Sequence, residues 1–227
     1  MRTPQARLSI FVLGAGLSMA SGAWADVTLL SQTRSLNVVG TGGTVKSDAT
    51  TGTADWSSNK LFYQSGANGY WNGAYQYSTF LPDGSTGLGQ SMMAQGAAKS
   101  VRFGTFAPTT EWTASNVFES TFRVGATSQL MDITMSIQAS GVGSSVLATL
   151  TKGGSTVWSY SANGDDLQTL TLASGDYVLR VAANSKLTTG GVGGDAQYNL
   201  GVGFTPIPGP SALVLVSLNA FLRRRRT

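Results

Sequence analysis

The sequence contains neither cysteine nor histidine. A disulfide-stapled scaffold is therefore excluded, and so is any metal site built from thiolate or imidazole ligands. Nucleophilic triads and histidine-based acid–base catalysis are excluded for the same reason. Only carboxylate, lysine and tyrosine side chains remain for chemistry. We therefore expect a protein that is not an enzyme, with no catalytic residue, no metal site and no cofactor.

Charged residues are also scarce, at 11% of the 227 residues, against about 25% in an ordinary soluble protein. The formal net charge of +4 comes from the two ends of the chain, where Arg2, Arg7 and four C-terminal arginines lie. Without these six residues, nine basic residues face eleven acidic ones, a net charge of −2. Since the basic charge belongs to the tails, no nucleic acid partner is predicted.

The N-terminal segment has the three parts of a secretory signal peptide. A basic start is followed by the apolar run Leu8–Ala20, and Ala23 and Ala25 then occupy the small-residue positions of a cleavage site. We expect signal peptidase to cut after Ala25, so that residues 1–25 are removed and the mature chain begins at Asp26. The alternative is an uncleaved anchor or a core helix.

The C-terminal segment, residues 206–227, is a proline-rich stretch, then an apolar run, then a basic cluster. The prolines prevent a strand or helix from continuing into the tail. The apolar run Ser211–Leu222 is about 18 Å long as a helix, shorter than the roughly 30 Å hydrocarbon core of a bilayer. The basic residues behind it favour the cytoplasmic side of the inner membrane; they are Arg223, Arg224, Arg225 and Arg226. This pattern favours a temporary tether, and the alternative is a plain membrane anchor.

This tail resembles the PEP-CTERM sorting tail, in which a Pro-x-Pro motif precedes a short apolar helix and an arginine cluster. The motif here is Pro208, Gly209 and Pro210, so glycine stands where the family usually has glutamate. The resemblance implies processing by an exosortase-like membrane protease after transient association with the inner membrane. It also implies a final location at the cell surface or outside the cell, among components of the extracellular polysaccharide and biofilm matrix.

The region between the tails, residues 26–205, is predicted to be one secreted β domain. Apolar and polar residues alternate in seven segments after Val117, as is typical of half-buried strands. These segments are Phe118–Val124, Met131–Gln138, Val146–Thr151, Thr156–Tyr160, Leu167–Leu172, Tyr177–Ala183 and Ala196–Phe204. Packing their apolar faces together predicts an all-β fold, an antiparallel β-sandwich or a jelly-roll-like arrangement.

The pattern is weaker in residues 26–116, which we expect to complete the same sandwich. Five further strands are predicted there: Val27–Leu30, Leu36–Val39, Leu61–Gln64, Tyr75–Phe80 and Ser100–Phe106. The segment Gly40–Thr53 is rich in glycine, threonine and serine and is predicted to be a loop.

A candidate binding site lies in the aromatic segment Gly69–Phe80. Tyr70, Trp71, Tyr75 and Tyr77 stand there beside asparagine and glutamine. Flat aromatic rings stack on sugar rings while amides bond to their hydroxyl groups, so these four residues are candidates for glycan binding. The alternative is that they are cross-strand partners or core residues.

Two weaker patterns concern an ion and a surface. Asn163, Asp165 and Asp166 offer oxygen ligands for calcium, but their spacing matches no known calcium loop, and an Asx-rich turn is the alternative. Ice binding requires a flat, repeated threonine face, of which Thr169 and Thr171 form a fragment.

Three functions are therefore open. The first is a structural protein of the cell surface or matrix with no active site. The second is a carbohydrate-binding module that retains exported polysaccharide. The third is a hydrolase, which needs two converging carboxylates; Glu119 is one of only two glutamates and lies on the polar face of a predicted strand. We rank them in that order.

Overall fold

The computed structural model describes residues 27–81, 90–105, 108, 110–126 and 128–207. Within these ranges the chain forms twelve β-strands and one 3-10 turn at Thr41–Gly43, and no α-helix. The strands are β1 (Val27–Val39), β2 (Val45–Thr51), β3 (Trp56–Gln64), β4 (Tyr70–Leu81), β5 (Ser91–Arg102), β6 (Trp112–Val124), β7 (Gln129–Gly141), β8 (Ser145–Lys152), β9 (Ser155–Tyr160), β10 (Gly164–Leu172), β11 (Gly175–Leu187) and β12 (Gly193–Pro206).

The strands form two six-stranded antiparallel sheets. Sheet A has the order β2-β1-β6-β11-β8-β9, and sheet B has the order β10-β7-β12-β5-β4-β3. The two sheets pack face to face, because each has one apolar face that is stable only when it is removed from water. The predicted all-β, two-sheet antiparallel fold is confirmed.

The core lies between the sheets and draws on both halves of the chain. Phe122 of β6 stacks on Tyr177 of β11 at 5.6 Å and meets Phe204 of β12 edge-on at 5.2 Å. Met92 of β5 and Leu36 of β1 belong to the same buried cluster. Burying a side chain of this size contributes about 1.5–3 kcal/mol.

The seven strands predicted after Val117 are confirmed, since each lies within one of the strands β6 to β12. The alternation holds in β6, β7, β8, β11 and β12 because one face of each is buried. In the edge strands β9 and β10 only a few side chains, such as Trp158, Leu170 and Leu172, pack against the core. β12 continues beyond the predicted end at Phe204, through Pro206, which pairs with Gln129.

Four of the five strands predicted in the first half lie within β1, β3 and β4, and the differences concern their bounds. Val27–Leu30 and Leu36–Val39 belong to one strand, β1, which bulges between Leu29 and Ser31 and leaves Leu30 exposed. A bulge shifts the alternation by one residue, so a continuous strand reads as two. The fifth predicted strand, Ser100–Phe106, overlaps β5 only at its end, because half of β5 consists of glycine, alanine and serine, which have little intrinsic preference for strands.

The predicted loop Gly40–Thr53 contains strand β2. Its inward positions carry Lys46, Asp48 and Thr50 instead of apolar residues, and the pairing of its backbone with β1 forms the strand. A strand at the margin of a sandwich need not show the apolar alternation that marks a central one.

The terminal predictions fall on residues whose structure is not described. These are the signal peptide with Ala23 and Ala25, and the sorting tail with Pro208, Gly209, Pro210 and the arginines from Arg223 to Arg226. Within the part of the chain that is described, no helix is long and apolar enough to cross a bilayer.

Candidate functional site

Strand β4 places three aromatic side chains on the outer face of sheet B. Successive side chains of a strand point to opposite faces, so Ala74 and Gln76 lie in the interior while Trp71, Tyr75 and Tyr77 face solvent. Their exposed fractions are 37%, 44% and 42%. Three of the four predicted glycan-binding residues therefore share one accessible surface.

The fourth, Tyr70, lies on the other side of the strand. Its ring packs edge-on against the buried Trp112, with the ring centroids 4.5 Å apart. An aromatic that the sequence analysis did not single out, Tyr63 of β3, lies directly opposite Trp71 and meets it edge-on at 5.4 Å. Only the pairing register of β3 with β4 identifies Tyr63 as part of this surface.

Two rows of side chains cross the outer face of sheet B from strand to strand. The first consists of Asn59, Tyr75, Ala97, Gln197 and Gln138, and the second of Ser57, Tyr77, Gln95, Asn199, Ser136 and Asp165. Neighbouring strands are about 4.8 Å apart, so the second row spans about 24 Å across the six strands. The rows combine aromatic rings on β4 with amides on β5, β12 and β7.

Three connected depressions follow these rows, and together we call them the outer groove. The first, of about 110 Å³, includes Trp71, Tyr75 and Gln197 in its lining. The second, of about 210 Å³, shares Tyr75 and Gln197 with the first. The third, of about 470 Å³, shares Ser136 and Asn199 with the second. Because each depression shares residues with the next, they lie side by side across the sheet from β3 to β10.

The polar side chains of the groove are largely unengaged. Among the described residues, the side chains of Gln95, Gln138, Asn199 and Ser136 have no hydrogen-bond partner. Gln197 is the exception, since its Nε2 donates to Oδ2 of Asp195 at 3.1 Å. The free donors and acceptors are thus available to a ligand in the groove.

The groove carries few charges. Lys99 and Asp195 form an ion pair of 3.0 Å beside Tyr75 and so largely neutralise each other. Asp165 lies on the rim at the opposite end. Between these ends the groove is lined by neutral groups.

A buried hydrogen-bond chain holds the backbone of Tyr75 from below. The amide Nδ2 of Asn116 donates to the carbonyl oxygen of Tyr75, and the hydroxyl of Tyr198 donates to Oδ1 of Asn116 at 3.0 Å. Burial raises the pKa of Tyr198, so its hydroxyl keeps the proton that it donates. Gly96 provides the space, because a Cβ there would lie 2.7 Å from the ring of Tyr198.

The residues considered for calcium do not converge. The side chain of Asn163 bonds to the backbone of Ala139, at 2.6 Å to its nitrogen and 2.8 Å to its oxygen. Asp165 faces the outer groove, while Asp166 points to the other side of β10 and accepts a hydrogen bond from Nε1 of Trp158 at 3.3 Å. Within the described ranges no three acidic residues form a group that could hold a metal ion.

The remaining candidates lie elsewhere on the surface. Glu119 forms an exposed ion pair with Arg180 at 3.7 Å on the outer face of sheet A. Thr169 donates to Oδ1 of Asp132 at 2.6 Å, and Thr171 is exposed on the same edge strand, β10. Neither arrangement brings two carboxylates together at the groove.

No protein-family model matches the chain, and no curated protein matches it. Function is therefore inferred from the outer groove and from the sequence.

Proposed function

We propose that the protein is an exported, non-enzymatic component of the bacterial cell surface or matrix, and that its outer groove binds a neutral polysaccharide. The binding function rests on one arrangement on the outer face of sheet B, in which exposed aromatic rings stand beside unbonded amides. Trp71, Tyr75 and Tyr77 are exposed on this face. The amides of Gln95, Gln138 and Asn199 beside them have no hydrogen-bond partner among the described residues.

The chemistry of the groove matches that of a sugar chain. A sugar ring has apolar C–H faces, which pack against aromatic rings, and hydroxyl groups around its edge, which both donate and accept hydrogen bonds. Aromatic side chains on β4 and amides on β5, β7 and β12 offer these two kinds of contact side by side. The groove crosses about 24 Å of sheet, a length that accommodates several sugar units.

The charges support a neutral ligand. Among the described residues that line the groove, Lys99 is the only cation, and Asp195 already pairs with it. Asp165 and Asp166, which line the third depression, leave this surface negative. An anionic polymer is repelled by this balance, whereas a neutral one is not.

The positions of the carboxylates support binding and not cleavage. Asp165 and Asp166 line the same depression, but they project from opposite faces of β10, and Asp166 accepts a hydrogen bond from Trp158. Asp195 is separated from Asp165 by four residues along β12 and by two strand spacings, about 16 Å in all. Glycosidases hold their two carboxyl groups about 5–9.5 Å apart. The proposal therefore assigns the groove to retention of a polysaccharide.

The surface location rests on the ends of the chain. Residues 1–25 have the pattern of a signal peptide, and residues 206–227 resemble a PEP-CTERM sorting tail. Export followed by exosortase-like processing delivers the domain to the compartment where extracellular polysaccharide accumulates. A purely structural matrix protein without a ligand is the competing function.

Binding of the exported protein to soluble neutral polysaccharides tests the proposal. We expect retarded migration in gels that contain hydroxyethylcellulose, xylan or galactomannan. Replacing Tyr75 by alanine removes the central ring. It should weaken binding to whichever polymer retards the wild-type protein at least tenfold, which corresponds to about 1.4 kcal/mol. The matched control is Leu147→Ala, an exposed strand residue on the opposite face of the sandwich, which should leave binding unchanged.

Two results would contradict the binding function. One is unaltered migration of the wild-type protein in every neutral polymer, which would favour the purely structural role. The other is equal weakening by Tyr75→Ala and Leu147→Ala, which would show that binding does not depend on the groove.

A further inference from the structure

The third depression of the outer groove differs in chemistry from the other two. Its lining includes Met93 of β5, Thr134 of β7, Leu167 of β10 and Gly201 of β12, and none of its lining residues is aromatic. Met93 and Leu167 are 41% and 70% exposed. We call this part of the groove the apolar subsite.

The floor of the apolar subsite is low because β12 has no side chains there. Gly201 and Gly203 occupy successive outward positions of this strand. A Cβ at Gly201 would approach Oγ1 of Thr134 to 2.5 Å, whereas at Gly203 it would enter open space. The volume of about 470 Å³ lies within the 300–1,000 Å³ of typical small-molecule sites, enough for one sugar ring with a substituent.

The side chains around the apolar subsite offer two kinds of contact, one apolar and one polar, to a substituent on the sugar ring. Met93 and Leu167 offer flexible aliphatic surface, which gains from covering a methyl group but offers no face for ring stacking. Asn199 and Ser136 lie where the apolar subsite joins the amide-lined part, and their side chains are unengaged among the described residues. The amide N–H of Asn199 and the hydroxyl of Ser136 are donors for a carbonyl oxygen.

An acetyl group combines these two features, since its methyl group is bonded to a carbonyl carbon. We infer that the apolar subsite receives a sugar unit bearing an acetyl substituent, and that the polysaccharide bound in the outer groove is therefore a neutral, acetylated one. This inference rests on the proposed polysaccharide-binding function. It adds the chemical class of the ligand, which the aromatic and amide contacts alone do not specify.

The negative charge of Asp165 allows an acetylated sugar to be distinguished from a deacetylated amino sugar as the ligand. Removing an acetyl group from an amino sugar leaves an ammonium group, which Asp165 on the same rim attracts. Such an attraction weakens with salt, whereas contacts of a methyl group with Met93 and Leu167 do not. The two substituents are therefore separable by affinity and by salt dependence.

Three hexasaccharides with one shared backbone provide the test: cellohexaose, its N-acetylated amino-sugar analogue and the deacetylated form of that analogue. Isothermal titration with the exported wild-type protein should show at least tenfold tighter binding of the acetylated form than of cellohexaose. Acetylated xylan and the same xylan after mild alkaline deacetylation should show the same preference.

Variants separate this inference from the function on which it rests. Leu167→Ser should lower affinity for the acetylated hexasaccharide at least fivefold and affinity for cellohexaose by a clearly smaller factor. Leu167 is exposed enough to be replaced without loss of the fold. Leu147→Ser is the matched control, an exposed strand leucine on sheet A that should change neither affinity. Tyr75→Ala should weaken both ligands.

Each contrary result has a distinct meaning. Equal affinity for acetylated and unacetylated ligands overturns the acetyl subsite and leaves polysaccharide binding intact. Tightest binding of the deacetylated form, lost at high salt, overturns it in favour of Asp165. Absence of binding to all the hexasaccharides and both xylans overturns the inference together with the binding function.

Discussion

At the residue scale, the position of Tyr75 depends on two side chains that never reach the surface. Asn116 holds the carbonyl of Tyr75, and Tyr198 holds Asn116. Both partners are buried, so each polar atom would lack a replacement from water if its neighbour were removed. The groove's central aromatic is thus supported from the interior of the sandwich.

A double-mutant cycle measures this support. Tyr198→Phe leaves Oδ1 of Asn116 buried without a donor and should lower the free energy of unfolding by about 1–3 kcal/mol. Asn116→Ala should destabilise by a similar amount, and the double variant by clearly less than the sum, since both changes break the same hydrogen bond. Urea unfolding gives the three values.

The control for this cycle is Tyr63→Phe, which removes a tyrosine hydroxyl from an exposed ring and should change stability by less than about 0.5 kcal/mol. Strictly additive losses for Asn116 and Tyr198 would mean that their contact does not contribute to stability.

At the element scale, polar contacts join the two sheets along one margin of the sandwich. Asp48 of β2 in sheet A accepts hydrogen bonds from Oγ of Ser58 at 2.5 Å and forms an ion pair of 3.1 Å with Lys60, both on β3 of sheet B. Lys46 also reaches β3, where its Nζ donates to the carbonyl of Leu61 at 2.7 Å. These polar contacts hold the two sheets together at the margin, as apolar packing does at the centre of the sandwich.

The contribution of this margin to the stability of the fold should decrease at low pH. Hydrogen bonds from Ser58 and from Lys60 lower the pKa of Asp48 in the folded protein. A carboxylate with a lowered pKa stabilises the fold above its unfolded pKa of about 3.9, and this contribution disappears as the pH falls through the folded value. Wild type should therefore be more stable than Asp48→Asn at pH of about 7, with the difference shrinking toward a pH of about 2.

Melting temperatures across this pH range measure the difference. The control is Ser57→Ala on the outer side of β3, the strand that carries Ser58 and Lys60, and its effect should be small and independent of pH. A gap between wild type and Asp48→Asn that stays constant down to the lowest pH would refute the role of this carboxylate.

At the scale of the whole molecule, the two ends should be removed during export. We expect the protein recovered from the cell surface or medium to begin at Asp26 and to end near Pro208, since we propose that signal peptidase cuts after Ala25 and a sorting enzyme near the Pro-Gly-Pro motif. Intact-mass spectrometry of the extracted protein measures both ends.

A matched variant isolates the C-terminal step. Replacing Arg223 to Arg226 by serine removes the basic stop that keeps the end of the tail on the cytoplasmic side. C-terminal processing should then fall sharply while the N-terminus still starts at Asp26. An unmodified C-terminus in the wild-type surface protein would contradict the sorting signal.

The central strands of the second half could be predicted from the sequence because each buries one face, and burial leaves alternating residues such as Met131, Ile133 and Met135. The outward direction of Trp71, Tyr75 and Tyr77 follows from the same alternation, but the sequence could not say which face of β4 met solvent. Strands β2 and β5 lacked the alternation of apolar and polar residues, because the inward residues of β2 are polar and those of β5 are mainly small.

The sequence by itself determined the chemistry that is excluded, the patterns of the two tails and the alternating strands, since these depend on composition and on neighbours along the chain. Only the tertiary structure decided that Gln95, Gln138 and Gln197 lie side by side near Tyr75, and that Leu167 and Met93 flank the same depression. Cross-strand register produces these neighbours, and it joins residues that are distant in sequence through backbone hydrogen bonds common to every amino acid except proline.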